Sequence, residues 1–415
     1  MLELLAPAGN FDRLKTALYF GADAVYLAYK DYGLRAFADN FDADGLREAI
    51  EYVHARGKKV YVTVNIFAHE SDFEKMPEFL DYLEELKPDG AIVSDIGIAA
   101  LMKKHAPSVP LHLSTQANLT NKYAAKEYVD YGFKRLVVAR ELSLDEIKKI
   151  RDYIPSDVEI EAFVHGAMCI SYSGRCLLSN FLTGRNGNHG ECAQSCRWEY
   201  TLKEKNRDDE LPIEEDSRGA YILNSKDMNM LAYLDKMVDA GVTSFKIEGR
   251  VKTEYYVASV VNCYRKALDI LKKCREKGEP YVLPKELALD LKKPSHRNYC
   301  TGFYLGDTAG NQCYETSKPR QTYEFTALVL DKFDGGALVE MRNRFKSGDE
   351  LEVLSPGDYH NSIIKVEKMT DENGAPVSDA YLVKQRLRLY TAVPLSPGDM
   401  LRKKLQIGII VPSNA

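Results

Sequence analysis

The stretch "VEIEAFVHG", residues 158–166, is a short run of β-branched and apolar residues that ends on glycine and leads directly into the chain's densest group of cysteines. Runs of this kind, separated by segments of helical period, are what parallel strands buried on both faces require. Seven others accompany it: "ELLAPAG" (3–9), "ADAVYLAY" (22–29), "KKVYVTVNI" (58–66), "GAIVSD" (90–95), "PLHLSTQA" (110–117), "KRLVVAR" (134–140) and "SFKIEGR" (244–250). Amphipathic segments over 11–21, 44–57, 73–87, 96–106, 122–132, 143–154 and 230–241 lie between them, and one over 253–273 follows the last. Each carries apolar residues three and four apart, and several end at glycine, as helices commonly do. Eight strand and helix pairs predict an α/β protein with a (β/α)8 TIM-like barrel over residues 1–275. A doubly wound open sheet is the weaker alternative, because no G-x-G-x-x-G follows the first strand.

The seventh unit is irregular, with a long cysteine-bearing insertion (167–220) between strand and helix. Its polar run "KEKNRDDELPIEEDSRG" (203–219) reads as a solvated hairpin tip. Residues 276–317 read as a connector. From 318 the period becomes that of strands, "TYEFTALVLD", "GGALVEMRN", "DELEVLSP", "NSIIKVEKM" and "YLVKQRLRLYTAV", divided by Gly, Pro, Asp and Asn turns, which predicts a small C-terminal all-β barrel over 318–415.

Composition is that of a globular protein, with 45% hydrophobic and 28% charged residues. No apolar stretch reaches the roughly 18 residues of a membrane span, and the N-terminus does not read as a leader, so a cytoplasmic protein with no membrane partner is expected. A formal charge of −5 argues against a generic nucleic-acid binder but leaves room for a local basic face.

A reducing compartment turns clustered cysteines away from disulfides and towards metal binding or catalysis. The spacing is Cys169-x6-Cys176-x15-Cys192-x3-Cys196. Four thiolates complete a tetrahedral zinc or supply one ligand per iron of a [4Fe–4S] cluster. Only Cys192 and Cys196 have the tight pairing usual for structural zinc, so the spacing favours a cluster; zinc, a redox dithiol and plain packing remain open. The stretch leaves the C-terminal end of strand seven, the face on which barrel enzymes carry their active sites. Cys263, Cys274, Cys300 and Cys313 match no common ligand spacing and read as packing residues.

Alternation along strand seven predicts Glu161 and His165 on one face, the barrel lumen, either as acid–base groups or as satisfied interior residues. Lys246, Glu248 and Arg250 of "FKIEGR" suit the binding of phosphate or carboxylate, or form an ion network. Arg35, Asn65, Asp95, Gln116, Arg140 and Glu141 end predicted strands, where polar residues are substrate contacts, helix caps or loop anchors.

Three segments, "EAFVHGAMCISYSGRCLLSNFLTGRNGNHGECAQSCRWEY" (161–200), "LLAPAGNFDRLKTALYFGADAVYLAYKDYGLRAFADNF" (4–41) and "FKIEGRVKTEYYVASVVNCYR" (245–265), resemble the U32 family, historically labelled collagenase-like peptidases. The resemblance spans essentially the whole chain and is nearest to the branch that 5-hydroxylates the tRNA wobble uridine. It implies a [4Fe–4S] cluster on Cys169, Cys176, Cys192 and Cys196, hydroxylation without molecular oxygen, tRNA as substrate and prephenate, a small dicarboxylate, as donor, with a protein partner conceivable. In that setting Glu161 and His165 would move the proton that leaves C5 of the base. Two other readings stand beside it. A peptidase finds no H-E-x-x-H or G-x-S-x-G, and only Cys169 near His165 as a nucleophile and base. The other is a non-catalytic scaffold, a cluster-stabilised RNA-binding or partner-binding protein.

Overall fold

The computed structural model of the protein describes residues 2–34, 39–169, 226–306 and 319–410, with 176, 178–185, 187, 190–198 and the short strands 202–203, 210–211, 215–216 and 219–220. Strands β1 (Glu3–Pro7), β2 (Ala24–Ala28), β3 (Lys59–Val64), β4 (Gly90–Val93), β5 (Leu111–Leu113), β6 (Arg135–Val137) and β7 (Glu159–Ala167) pair in parallel, each with the next. The eighth barrel strand, β8 (Ser244–Ile247), pairs with both β7 and β1 and closes the ring. Helices α1 (Phe11–Tyr19), α2 (Ala43–His54), α3 (Met76–Leu86), α4 (Ile96–His105), α5 (Lys122–Tyr131) and α6 (Leu144–Arg151) return the chain between strands. Their starts are fixed locally: Asn10, Asp42, Asp95, Asn121 and Ser143 each accept a backbone N–H of the first turn. Alternate strand residues divide between two apolar regions. Leu4, Val25, Val62 and Phe245 pack under the helices, while Leu5, Tyr26, Tyr61 and Ile92 fill the lumen.

β7 departs from this alternation. Glu161 lies opposite Ser244 and Phe163 opposite Lys246, but Ile247 is matched by His165, so Val164 is an extra residue in a β-bulge. One inserted residue reverses the facing of everything after it. Glu161 and Phe163 therefore face the lumen, whereas His165 turns outward against α9 (Glu254–Lys277), contrary to the shared face expected from strict alternation.

After α7 (Leu178–Thr183) the insertion carries two small antiparallel pairs, 202–203 with 210–211 and 215–216 with 219–220, where a hairpin tip was expected. It then returns to its own root: Asp227–Asn229 pairs antiparallel with the end of β7, Asp227 opposite Ala167 and Asn229 opposite His165. Tyr299–Cys300 adds beside it. The helix read over 230–241 is shorter, a 3-10 turn at Leu231–Tyr233 followed by α8 (Leu234–Asp239).

The C-terminal region is an antiparallel half-barrel of seven strands with its own apolar core around Val339, Val353, Leu387 and Leu401. Its principal strands are β9 (Arg320–Phe333), β10 (Gly336–Met341), β11 (Glu350–Leu354), β12 (Arg386–Tyr390) and β13 (Met400–Ile410). β13 was not among the expected strands, yet it lies between β9 and β11. Its Arg402, 0% exposed and on the face opposite to the core residue Leu401, donates to Glu352, Asp290 and Asn361, joining the half-barrel to α10 (Lys285–Asp290).

Candidate active site at the barrel mouth

The lumen below the mouth is filled by a buried ion network. Glu161, fully buried, accepts hydrogen bonds from Lys246 Nζ at 2.6 Å, Arg135 Nη1 at 3.1 Å and Ser244 Oγ at 3.4 Å. Arg135 also binds Glu3 and Glu159, and Tyr61 donates to Glu3 at 2.6 Å. Burial pushes the Glu3 carboxyl up, but Arg135 and the hydrogen bonds from Arg135, Tyr61 and Ser244 outweigh it and hold it below the usual carboxylate value. Lys246 moves the other way. Burial lowers its ammonium and Arg135 and Arg140 add to the effect, opposed by Glu161. Its Nζ lies 4.5 Å from the Tyr26 ring centre and 5.4 Å from that of Phe163. His112, edge-on to Tyr61, is kept neutral by burial and by Arg135, Lys246 and Lys59.

Above this floor lie the strand ends. Arg250 reaches Thr63 Oγ1 at 3.4 Å, and both are buried. The loop after β2 closes over them: a Cβ on Gly33 would fall 2.4 Å from that of Ala28 and 3.0 Å from Thr63 Oγ1, so only glycine passes there. Asn65 donates to Ser114 Oγ and accepts from Leu34 N, and Gln116 sits on the 3-10 turn after β5. The Arg140 guanidinium lies 3.8 Å from the Phe163 ring centre, donates to Ala167 O at 3.0 Å and leaves Nε without a partner among the described residues. Glu248 packs against Gly166, whose φ of +111° and missing Cβ let the two backbones meet. Glu141 follows Arg140 and is half-buried. Asp95 serves as the cap of α4, and Arg35 lies outside the described residues. Sequence reasoning passed over Arg135, Glu3, Thr63 and Ser114. The signal was present in the parity of their strands, since a polar residue at a lumen position of a barrel strand needs a partner or a ligand.

His165 is taken out of this constellation. It is 2% exposed, ringed by Tyr256, Tyr264 and Tyr299, and its Nδ1 lies 3.3 Å from Tyr264 Oη. Burial lowers its pKa to about 3, so it is neutral at ordinary pH.

Cys169 stands two residues past β7, next to the Arg140 to Ala167 contact, and is exposed; Cys176, Cys192 and Cys196 are half-buried. None of the four is in a disulfide among the described residues. Leu178 N donates to Cys176 Sγ and Gln194 N to Cys192 Sγ, each at 3.3 Å, and α7 packs on the 3-10 turn that carries Cys196. Among the described residues no three His, Cys, Asp or Glu side chains converge as metal ligands. The donor set nevertheless fits a thiolate-bound metal group in its chemistry: four cysteine sulfurs outside any disulfide among the described residues, two of them already receiving the backbone N–H bonds that stabilise a coordinating thiolate.

A profile of peptidase family U32 matches residues 9–313, and one of the peptidase family U32 C-terminal domain matches 321–402. The chain belongs to peptidase family U32. It is 38% identical over 405 residues to tRNA hydroxylation protein P1 of Bacillus subtilis (strain 168), covering 97% of this chain and 94% of that one. It is 35% identical over 448 residues to tRNA hydroxylation protein P of Escherichia coli (strain K12), covering 96% and 92%. A third relative, the 23S rRNA 5-hydroxycytidine C2501 synthase of Escherichia coli (strain K12), is 39% identical over 278 residues, 67% of this chain and 40% of that one. No helix among the described residues is long and apolar enough to cross a membrane.

Proposed function

We propose that this U32 protein is an RNA hydroxylase, and specifically that it 5-hydroxylates the wobble uridine of tRNA without molecular oxygen, using a [4Fe–4S] cluster held by Cys169, Cys176, Cys192 and Cys196. The observation that carries the reading is the group of four cysteines, none in a disulfide among the described residues, that follows the end of β7, the strand end that Arg140 ties to the mouth where Arg250 lies above Lys246. The names of the relatives, two tRNA hydroxylation proteins and an rRNA hydroxycytidine synthase, support RNA as the substrate.

In this proposal the ring C–O bond of prephenate breaks as its ring carboxylate leaves as carbon dioxide, giving phenylpyruvate and a hydroxide equivalent. Forming C5–OH from C5–H and that hydroxide releases one proton, which a base of the chain accepts, and two electrons, which an external electron carrier takes. The cluster, when bound, supplies one-electron redox chemistry. The chain's own groups bind, orient and move protons. Arg250 and Arg140 present guanidinium groups that suit the donor's carboxylates. Asn65 and Ser114 offer hydrogen bonds to the base edge. The Lys246–Glu161 pair is the proton acceptor, because burial brings the neutral amine closer than at an exposed lysine. His165 takes no part. Its outward turn also removes the imidazole that a cysteine peptidase would need beside Cys169.

The test is anaerobic purification with iron, acid-labile sulfide and zinc analysis, joined to nucleoside mass spectrometry of tRNA from a deletion strain carrying wild type or Cys192→Ser. About four irons and four sulfides per chain, and 5-hydroxylated uridine that both vanish in the variant, are expected. Full hydroxylation by Cys192→Ser, or one zinc in place of iron, would sink the cluster mechanism.

A further inference from the structure

The sequence "KQRLRLY" (384–390) becomes β12, with Leu387 and Leu389 buried in the half-barrel core and Arg386 and Arg388 exposed on its outer face. Tyr390 continues that outer row, half-buried. Lys368 lies across the sheet from Tyr390, its Nζ 4.2 Å from the ring centre. Phe333 meets Tyr390 edge-on at 5.3 Å, and the Arg388 guanidinium lies 5.5 Å from the Phe333 ring centre. Glu340, the anion opposite Arg386, is engaged by Arg342 at 3.3 Å; Asp334 is exposed in the turn after Phe333. In a chain of net charge −5 this is a local cationic and aromatic surface.

The strand points at the barrel mouth. Arg342, which follows β10, pairs with Glu254 at 3.7 Å, and Glu254 opens α9 four residues after Arg250. Because β10 and β12 are antiparallel with Glu340 opposite Arg386, the Arg386 end of β12 is the one nearest that contact. The turn just before it exposes Tyr381, Leu382 and Val383, at 63%, 54% and 90%.

We propose that the outer face of β12, formed by Arg386, Arg388 and Tyr390 with Lys368 across the sheet, is a second RNA contact surface that grips tRNA flanking the target nucleotide. This rests on the RNA hydroxylase reading and adds to it a site outside the barrel. Alternate residues of a strand stand about 6.8 Å apart on one face, a step comparable with that between neighbouring phosphates of an extended strand. Guanidinium planes and tyrosine rings are the surfaces on which unpaired bases stack. The acidic remainder of the protein disfavours other docking modes and so orients the RNA.

The test uses the full chain with Arg386→Gln/Arg388→Gln, and Lys272→Gln/Lys273→Gln at the far end of α9 as a control of equal charge change. Binding of purified tRNA is followed by fluorescence anisotropy between about 50 and 250 mM salt. The β12 variant should bind roughly tenfold more weakly, with a log K against log salt slope shallower by about 1.4 to 1.8, the release expected for two phosphate contacts. The control should match wild type, and all three should share one melting temperature. Unchanged affinity and slope in the β12 variant, with wild type binding tRNA, would overturn the β12 surface and leave the hydroxylase reading standing. Loss of an acidic protein partner with tRNA binding intact would also overturn it, assigning the face to a protein. Wild type that binds no tRNA would overturn both.

Discussion

Replacing Glu161 by glutamine tests whether the barrel interior is built as an electrostatic unit. The substitution keeps the shape but removes the charge that faces Lys246 at 2.6 Å and Arg135 at 3.1 Å, in a site with no solvent exposure. Leaving buried cations uncompensated costs about 3–5 kcal/mol. The variant has one escape. Of the influences on Lys246, only Glu161 raises its pKa, while burial, Arg135 and Arg140 lower it. Without Glu161 the folded protein sheds the Lys246 proton, whereas an unfolded lysine keeps it up to about pH 10.4. Between those two values the unfolded chain binds one proton more, so the variant's stability rises with pH, by at most about 1.4 kcal/mol per pH unit. Urea unfolding followed by far-UV circular dichroism should show a deficit of about 3–5 kcal/mol near pH 7 that shrinks by about pH 9. Glu161→Gln/Lys246→Met should recover part of the loss, since methionine fills the space between Tyr26 and Phe163 without a charge. A deficit under about 1 kcal/mol, or one equal at both pH values, would refute the reasoning.

Arg402→Met should leave Asp290 and Glu352 buried without their guanidinium, costing about 3–5 kcal/mol, and should expose the connector to limited proteolysis. Burial raises the Asp290 carboxyl, but the bonds from His360, Arg402 and Lys293 outweigh it and hold it below its ordinary value. Its contribution is therefore complete above the unfolded value of about 3.9 and lost as pH falls beneath it, so in wild type the same proteolysis should begin only in stronger acid. His165, with a pKa of about 3, stabilises the fold above the unfolded histidine value of about 6.5 and loses that contribution as pH falls towards 3. His165→Gln should remove that acid sensitivity from unfolding curves while leaving the pH profile of hydroxylation near neutrality unchanged.

The eight barrel strands were legible because each is an apolar run closed by a turn residue, and the helices because their caps are local. β13 was not, since "MLRKKLQIGII" runs three cations together at Arg402, Lys403 and Lys404, and the burial of Arg402 on the face opposite to the half-barrel core is explained by Asp290 and Glu352 from distant segments. The site was half legible. Lys246, Glu161, Arg140 and Arg250 end or line barrel strands and were found from that position alone. The orientation of His165 was not, because a bulge at Val164 leaves no trace in composition and shows itself only against the register of β8. Asp95 illustrates the converse: a strand-end acid is equally a helix start, and here the first turn of α4 engages it.

The return of Asp227–Asn229 onto the end of β7 means that the cysteine-bearing segment enters and leaves the barrel at one point. It is a cartridge held by its own clasp. A two-residue turn joining Ala167 to Asp227 would complete an ordinary hairpin there, so the cartridge can be removed, exchanged or lost in descent while the barrel stays closed. On the proposed cluster reading, chemistry and scaffold would be separable, and a barrel closed across that turn should remain folded, with the far-UV circular dichroism and cooperative melting of the wild type.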